Sequence, residues 1–250
     1  MSGIKIYHSE KGIKLIQGDC LEVMDSMIKQ GVKVDCIITD PPYKLTPRGT
    51  SGTMGGAFWT GELAKNGSVF NSGSLDIKHW IDKCYDILKD ETHIYIMTND
   101  KNLREYLNAI HESNFKYVKT IIWDKPNKIC GRWYMTKKET IILARKGTQR
   151  PINNPSTPDI LQTPNFKKQK EDGLNLHDTE KPLELMNVFI ENSTNEGEVV
   201  LDLFAGSGTT LVAAKNLNRK CYGIELEGKY CEVAKQRLIE LDSKTALIGD

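Results

Sequence analysis

An apolar, β-branched run that ends in a carboxylate, two prolines and an aromatic ring constrains this chain more than any other stretch. Residues 34–39 read Val-Asp-Cys-Ile-Ile-Thr, and Asp40, Pro41, Pro42 and Tyr43 follow them. The run is typical of a buried strand, which would bring the polar corner after it to the carboxyl edge of a sheet, where α/β folds bind ligands. Taken alone, the corner is equally typical of a simple strand stop, because proline often ends strands.

The order of the predicted elements places this strand in an alternating α/β fold. Such alternation predicts a largely parallel sheet, and 250 residues of ordinary composition fit one domain spanning 1–250. Residues 151–175 hold four prolines among polar residues and are predicted to be loop. We predict strands at 13–16, 34–39, 93–97, 117–123, 140–144 and 221–224, another starting at 198, and helices at 21–29, 77–88, 101–111, 183–190 and 211–217.

A glycine-rich stretch without periodicity follows the first motif. Seven glycines interrupt residues 44–74, which also hold Arg48, Phe58, Trp59 and Lys65. A loop of this length in a compact domain is usually functional or disordered. We therefore treat 44–75 as a candidate substrate loop.

The distribution of charge is informative only locally. The formal net charge is +1, so no overall field indicates a nucleic-acid or membrane partner. Residues 116–150, however, hold ten basic residues and two acidic ones, a local surplus of +8, with Trp133 and Tyr134 among them. This pattern suits contact with phosphates and bases, although a solvated basic face would give the same pattern.

Cysteine and histidine usage excludes several classes of protein. The six cysteines are scattered without zinc-finger or redox spacing, which is typical of reduced thiols in a cytoplasmic protein. The five histidines show no paired ligand spacing, so no metal is expected. Neither a secretory leader nor an apolar run long enough to span a bilayer is present, so we expect no membrane association.

A second motif, at residues 198–210, has the pattern of a nucleotide-binding unit. A predicted strand leads into Gly206-Ser207-Gly208, and a predicted helix follows. Glu225 comes at the end of the next predicted strand, about 20 residues on, where an acid can accept hydrogen bonds from ribose hydroxyls. The third glycine of a dinucleotide site would stand at Leu211, which we expect to crowd the helix against the strand. An adenosine cofactor without a pyrophosphate fits this pattern better.

Together these motifs resemble the amino-methyltransferases of DNA, which use S-adenosylmethionine. Asp-Pro-Pro-Tyr comes early and Phe-x-Gly-x-Gly, at 204–208, comes late, as in the circularly permuted β-class of that family. Residues 177–182, His-Asp-Thr-Glu-Lys-Pro, are similar to the family's His-Pro-Thr-Glu-Lys-Pro, with Asp178 in place of proline. The resemblance implies a Rossmann-like methyltransferase fold, a mostly parallel sheet with helices on both faces. It also implies a site-specific, adenine-N6 enzyme that releases S-adenosylhomocysteine. Restriction-modification, regulatory and phage-borne enzymes all fit the sequence.

The resemblance assigns catalysis to Asp40, Pro41, Pro42 and Tyr43. An adenine amine is a poor nucleophile because its lone pair is delocalised into the ring. The Asp40 carboxylate and the Pro41 carbonyl, which proline's fixed φ holds still, would each accept one amine hydrogen and orient the nitrogen. Tyr43 would stack on a base flipped out of the duplex.

The cofactor site carries over residue by residue. Glu225 would bind the ribose and Asp19 the adenine, while Thr179 and Lys181 would hold the methionine carboxylate. Asp19 and Glu225 are alternatively helix caps, and Lys181 is alternatively a surface charge. The full predicted set is Asp19, Thr179, Lys181, Asp202, Phe204, Gly206, Gly208, Thr209 and Glu225.

Double-stranded DNA is the expected partner, and the family often forms homodimers. The resemblance places target recognition at about 125–176, a short region in this chain. We expect DNA contacts from Lys44, Arg48, Lys125 and Arg132, and we expect the loop at 44–75 to close over the flipped base.

Other activities fit the sequence less well. Cytosine-N4 methylation shares the amine chemistry but more often has serine at the position of Asp40. A catalytically inactive DNA-binding module would explain the basic stretch without needing Asp40 or Glu225. Methylation of RNA or of a protein glutamine is a more remote alternative. Those enzymes also use a Pro-Pro-Tyr corner, with a different first residue, but the order of the motifs disfavours them. Methylation at cytosine carbon needs a nucleophilic cysteine after a proline, and this chain has none in that pattern.

Overall fold

A nine-stranded sheet forms the centre of the computed structural model, which describes residues 3–42, 76–129, 134–148, 150–163 and 181–248. The strand order is β1-β2-β9-β8-β3-β4-β6-β5-β7. The strands are β1 Lys5–Glu10, β2 Ile13–Gln17, β3 Val34–Thr39, β4 Leu88–Thr98, β5 Lys116–Ile129, β6 Thr136–Arg145, β7 Ile160–Gln162, β8 Val199–Asp202 and β9 Lys220–Glu225. The helices are α1 Cys20–Lys29, α2 Ile77–Ile87, α3 Leu103–Glu112, α4 Leu183–Ser193, α5 Thr209–Asn216 and α6 Gly228–Ile248.

The middle of the sheet is parallel, as predicted. Strands β2, β9, β8, β3 and β4 run in one direction, whereas β1 and β6 are antiparallel to their neighbours β2 and β4. Strand β5 is antiparallel to β6, so it runs in the direction of β4, and β7 is parallel to β5. The predicted α/β fold with a mostly parallel sheet is confirmed.

Helices cover both faces of the sheet, and β3 shows why its sequence is apolar throughout. Cys36 and Ile38 lie in the core beneath α4, α5 and α6, whereas Ile37 lies in the opposite core beneath α1, α2 and α3. A strand buried on both sides reads as a continuous apolar run. The one acid in this run, Asp35, accepts bonds from Lys89 Nζ at 2.7 Å and from the Val199 amide at 2.9 Å.

The sheet has its topological switch point between β3 and β8. These two strands are neighbours, with Ile37 opposite Leu201. From β3 the chain continues to β4 on one side, and from β8 it continues to β9 on the other side. In α/β sheets, a crevice opens at the carboxyl ends of such a strand pair, and ligands bind there. Both sequence motifs therefore end at the same crevice.

Two edges of the sheet differ from the prediction. Strand β1 has no predicted counterpart, and the prediction of a continuous loop at 151–175 is wrong at β7. The short β7 pairs with β5 through Ile122 opposite Ile160, and its Leu161 is buried. This strand exists because β5 offers an unpaired edge, which local composition does not reveal.

The β5–β6 hairpin is longer than predicted. Ile122 lies opposite Thr140, and Thr140 lies opposite Thr98, the last residue of β4. The rest of β5 therefore continues past the carboxyl edge of the sheet, as does the start of β6. The hairpin forms an arm on the same side as the crevice.

Five of the six cysteines lie within the described ranges, and all five are buried and reduced. Burial raises the pKa of the Cys20 and Cys231 thiols to about 12. Within the same ranges, no three His, Cys, Asp or Glu side chains are grouped in a way that could hold a metal ion. No described helix is both long enough and apolar enough to cross a membrane.

Candidate active site

Four acidic residues lie at the carboxyl edge of the sheet. Asp40 follows β3, and Asp202 ends β8, the neighbouring strand. Glu225 ends β9, and Asp19 follows β2. Because the carboxyl ends of parallel strands meet at one edge, the fold gathers four of the predicted site residues around the crevice.

Asp40 is paired with Lys181, which precedes α4. The Lys181 Nζ lies 2.5 Å from Asp40 Oδ2 and 3.3 Å from Glu139 Oε2 on β6. The second contact is ionic, since Glu139 Oε2 has no aligned hydrogen bond within the described residues. The other oxygen of Glu139 accepts a hydrogen bond from Lys125 Nζ. Sequence reasoning predicted a cofactor role for Lys181, and the structure places its ammonium against the Asp40 carboxylate.

The electrostatic environment keeps Lys181 charged. Burial by itself would lower the pKa of this ammonium, but the charges of Asp40 and Glu139, together with the hydrogen bond to Asp40, raise it above its ordinary value. Only 12% of the Lys181 side chain is exposed. A buried ammonium of this kind is stable only while its anionic partners stay in place.

Asp202 is the most deeply buried acid at the edge. The Thr210 hydroxyl donates to its Oδ2 at 2.6 Å, and the Phe204 amide donates to its Oδ1 at 3.1 Å. Burial raises the pKa of Asp202 to about 7, and the charges of Asp40 and Glu225 act in the same direction. Near neutral pH this carboxyl is therefore poised between its two protonation states.

The two glycines of the loop after β8 serve different purposes. Both have positive φ, +51° at Gly206 and +82° at Gly208. A Cβ on Gly208 would lie 2.8 Å from the Cβ of Ala234, so packing against α6 requires this glycine. Among the described residues, a Cβ on Gly206 would meet nothing closer than the Phe204 oxygen at 4.0 Å, so they leave this position open. Of the two, Gly206 is the one that leaves room for a ligand.

Leu211 does not crowd the sheet as expected, because β9 makes room for it. Leu211 is fully buried, and a Cβ added to Gly223 would lie 2.5 Å from its Cδ1. The close contact between helix and strand is thus made by a glycine on the strand instead of a glycine on the helix. The prediction was wrong because a single-sequence motif does not show which residue lies opposite.

Glu225 anchors the glycine loop. Its Oε2 accepts a bond from the Gly206 amide at 2.9 Å, and its Oε1 accepts one from the Glu227 amide at 2.8 Å. Burial raises the pKa of Glu225. Since a carboxylate has about four acceptor positions, these two bonds leave capacity for further donors.

Asp19 caps α1. Its Oδ1 accepts bonds from the Leu21 amide at 2.9 Å and from the Glu22 amide at 3.2 Å. The capping role that the sequence left open is therefore confirmed, and the predicted contact with a cofactor adenine stays a prediction.

Arg237 on α6 is a loop contact that sequence reasoning missed. Its Nη1 donates to the Ser207 carbonyl at 2.8 Å, to the Ser207 hydroxyl at 3.0 Å and to the Thr209 hydroxyl at 3.2 Å. Glu139 was also missed as a site residue, although a signal was present. It is one of two acids in a very basic stretch, and it lies on the same face of β6 as the buried Ile141 and Leu143.

Phe204, the first residue of the glycine motif, is partly buried and packs at the end of a row of aromatic rings formed with Trp80 and Tyr106. Its ring contacts Trp80 of α2 edge-on, with the centroids 6.3 Å apart, and Trp80 meets Tyr106 of α3 in the same way at 6.0 Å. This packing fixes the start of the loop on the α1–α3 face.

The positive charge of residues 116–150 is partly neutralised by acids from elsewhere in the chain. Acids from outside 116–150 pair with several of its lysines, for example Asp159 with Lys119 and Asp100 with Lys138, both at 2.8 Å. Lys125 is bound by Glu139 and is only 18% exposed. The whole predicted loop at 44–75 lies outside the described residues, and so do other residues named above: Tyr43, Arg132, Trp133, His177, Asp178 and Thr179. The predicted contacts of Lys44 and Arg48 fall within that loop.

Comparison with known proteins adds an independent finding. Residues 34–236 match the N6/N4 methyltransferase family model, described as "DNA methylase". The chain is 31% identical to the Type II methyltransferase M2.MboI of Moraxella bovis, over 93% of this chain and 89% of the relative. It is 30% identical to M2.DpnII of Streptococcus pneumoniae, over 96% and 94% of the two chains.

Solved structures show the same architecture. The M1.HpyAVI–SAM complex, 28% identical, superimposes with a TM-score of 0.68 over 90% of this chain and 99% of the other. The cytosine-N4-specific PvuII DNA methyltransferase superimposes with a TM-score of 0.70 over 93% and 88% of the two chains. That enzyme is 18% identical, so it is evidence for the fold alone.

Proposed function

The chain belongs to the N6/N4 family of DNA methylases, and on that premise we propose that it transfers a methyl group from S-adenosylmethionine to the N6 amine of an adenine flipped out of duplex DNA. The observation that carries this proposal is the position of Asp40, at the switch point between β3 and β8 and beside the glycine loop. Aspartate at this position favours adenine over cytosine-N4. The Type II methyltransferase relatives support a place in a restriction-modification system.

The residues at the edge of the sheet fit S-adenosylmethionine. The described residues leave Gly206 open, and Glu225 keeps acceptor capacity beside it, as a ribose with two hydroxyls requires. The M1.HpyAVI relative was crystallised with this cofactor. When bound, the cofactor supplies an electrophilic methyl group on a sulfonium. We propose that Glu225 accepts hydrogen bonds from the ribose hydroxyls and that Asp19 meets the adenine. Asp202, Phe204 and Thr209 line the remaining wall, and Gly208 holds the loop against α6.

Asp40 and Pro41 prepare the amine of the target base in this proposal. The Asp40 carboxylate and the Pro41 carbonyl each accept one amine hydrogen, which localises the nitrogen lone pair and points it across the crevice. The Lys181 ammonium donates a hydrogen bond to Asp40 Oδ2 and so holds the carboxylate in place at the crevice. No strong base is needed, because orientation and charge provide the activation.

DNA contact is proposed for the arm formed by β5 and β6. The arm extends past the carboxyl edge of the sheet and carries Tyr134 and Met135 with 88% and 60% of their surfaces exposed. An exposed aromatic beside lysines suits contact with bases and phosphates. The predicted contacts of Lys125 and Arg132 belong to this arm, and those of Lys44 and Arg48 belong to the loop at 44–75.

Identification of the modified base tests this function. The protein is incubated with methyl-labelled S-adenosylmethionine and DNA of mixed sequence, and the DNA is then digested to nucleosides and sequenced around each mark. We expect labelled N6-methyl-2′-deoxyadenosine in one short sequence context. Label on cytosine N4 would instead identify the enzyme as a cytosine-N4 methyltransferase, and absence of label from DNA would refute the proposal.

A further inference from the structure

Four residues form a chain of alternating charges across the crevice. Asp40, Lys181, Glu139 and Lys125 contact one another in that order. The side chains of Asp40, Lys181, Glu139 and Lys125 are 25%, 12%, 15% and 18% exposed. We call this set the charge chain. It links the end of β3 to the base of the β5–β6 arm.

The contacts of the charge chain assign Lys181 to Asp40. Its ammonium already lies between two carboxylates in a site that is largely shielded from water. Moving it to a third carboxylate, such as the methionine end of a cofactor, would leave Asp40 and Glu139 with less compensation for their desolvation. The loss of one partner from a buried ion pair is strongly unfavourable.

We propose that Lys181 and Glu139 are positioning residues for Asp40, and that Lys181 does not bind the methionine carboxylate of the cofactor. In this arrangement Lys181 fixes the Asp40 carboxylate at the crevice, and Glu139 fixes Lys181 from the other side. Lys125 holds Glu139 in turn. This inference rests on the proposed function, because it concerns the carboxylate that orients the amine.

Neighbouring groups support an electrostatic role for Lys181. Burial raises the pKa of Asp202 on β8 and of Tyr106 on α3, and the negative charge of Asp40 raises both further by a smaller amount. Lys181 is the cation that the described residues place against Asp40. Lys181 therefore contributes compensating positive charge at this crowded, negatively charged edge.

Replacing Lys181 with methionine separates the two possible roles. We expect Lys181→Met to slow single-turnover methyl transfer by about tenfold or more while leaving the dissociation constant of S-adenosylmethionine within about twofold. The matched control is Lys215→Met, because Lys215 lies 2.5 Å from Asp242 with similar exposure, 12% and 27%, at the far end of α5. Lys181→Arg keeps the charge, and we expect it to restore part of the rate.

Three outcomes would overturn the inference. They are a weakened cofactor affinity in Lys181→Met that accounts for its loss of rate, an unchanged rate, or an equal loss in Lys215→Met. Cofactor affinity is measured by calorimetry without DNA, so it decides the placement of Lys181 even if the wild-type protein fails to methylate DNA. That failure would refute the proposed function alone.

The role of Glu139 is tested through coupling. Glu139→Gln is nearly isosteric, so alone it serves as the second variant if Lys181→Met does not fold, and an unchanged transfer rate in it would then contradict the inference. We expect Glu139→Gln to lower the transfer rate in the wild-type background and to have little further effect in the Lys181→Met background, because Glu139 acts through Lys181. If the two changes lowered the transfer rate independently, so that their effects multiplied in the double variant, Glu139 would not act through Lys181.

Discussion

The Lys181 ammonium lies 2.5 Å from Asp40 Oδ2, although 141 positions separate the two residues in the chain. Strand β3 delivers Asp40, and the segment before α4 delivers Lys181. The first half of the chain thus supplies the carboxylate, and the second half supplies both its counter-ion and the glycine loop. Their meeting at the switch point is why we place the chemistry there.

The two loop glycines should fail in different ways. Gly208→Ala would collide with Ala234, so we expect it to destabilise the fold by about 1–3 kcal/mol. Gly206→Ala has no such collision and adds about 1–2 kcal/mol of backbone strain at most, but it would place a methyl group where we expect the cofactor. Thermal unfolding and cofactor calorimetry on both variants check this. Equal loss of cofactor affinity in two folded variants would contradict the assignment.

Asp19 offers a way to separate capping from binding. We expect Asp19→Ser to keep the α1 cap and therefore most of the stability, while Asp19→Ala loses about 1 kcal/mol. If the carboxylate also binds the cofactor adenine, both variants weaken S-adenosylmethionine binding. Asp76 caps α2 with the same geometry, so Asp76→Ser is the control. Undiminished cofactor affinity in Asp19→Ser would leave Asp19 as a cap alone.

Asp202 predicts a pH dependence of stability. Its pKa is about 7 in the folded protein and 3.8 ordinarily, so between these values the folded state keeps a proton that the unfolded chain has released. Its contribution to stability is therefore fully present below about pH 4 and is lost as the pH rises through about 7. Relative to Asp202→Asn, the wild type should lose up to about 1.4 kcal/mol per pH unit in this window.

Urea unfolding at several pH values measures that difference. Asp242→Asn is the control, because the hydrogen bond from Lys215 lowers the pKa of Asp242 and moves its effect below this window. Parallel pH profiles for the wild type and Asp202→Asn would show that Asp202 titrates normally.

Gly223 and Leu211 should be energetically coupled. Gly223→Ala would place a methyl group 2.5 Å from Leu211 Cδ1, so we expect a loss of about 1–3 kcal/mol in the free energy of unfolding. Leu211→Ala alone leaves a cavity that costs about 2–5 kcal/mol. Together the two changes should cost less than their sum, because the added methyl fills part of the cavity. Additive losses would contradict the packing described.

Local sequence predicted the parts of the site that lie within one motif. Strand β3 has the predicted bounds, and Asp40, Asp202 and Glu225 lie at one edge because parallel strands must end together. Contacts that depend on strand order were beyond reach. Glu139 meets Lys181 only because β6 lies next to β4, and Arg237 reaches the glycine loop only because α6 packs on that face. No local pattern encodes either neighbour.

The most direct test of the account is a parallel measurement of cofactor affinity and methyl transfer to DNA for the wild type and Asp40→Asn. Asparagine keeps the shape of the side chain and one acceptor oxygen, but it removes the negative charge that strengthens the hydrogen bond from the amine. We expect the single-turnover rate to fall by about 100-fold or more, in the range seen when one preorganised transition-state contact is removed, with cofactor affinity nearly unchanged. An undiminished rate, or a loss of cofactor affinity equal to the loss of rate, would contradict the placement of Asp40 at the reacting amine.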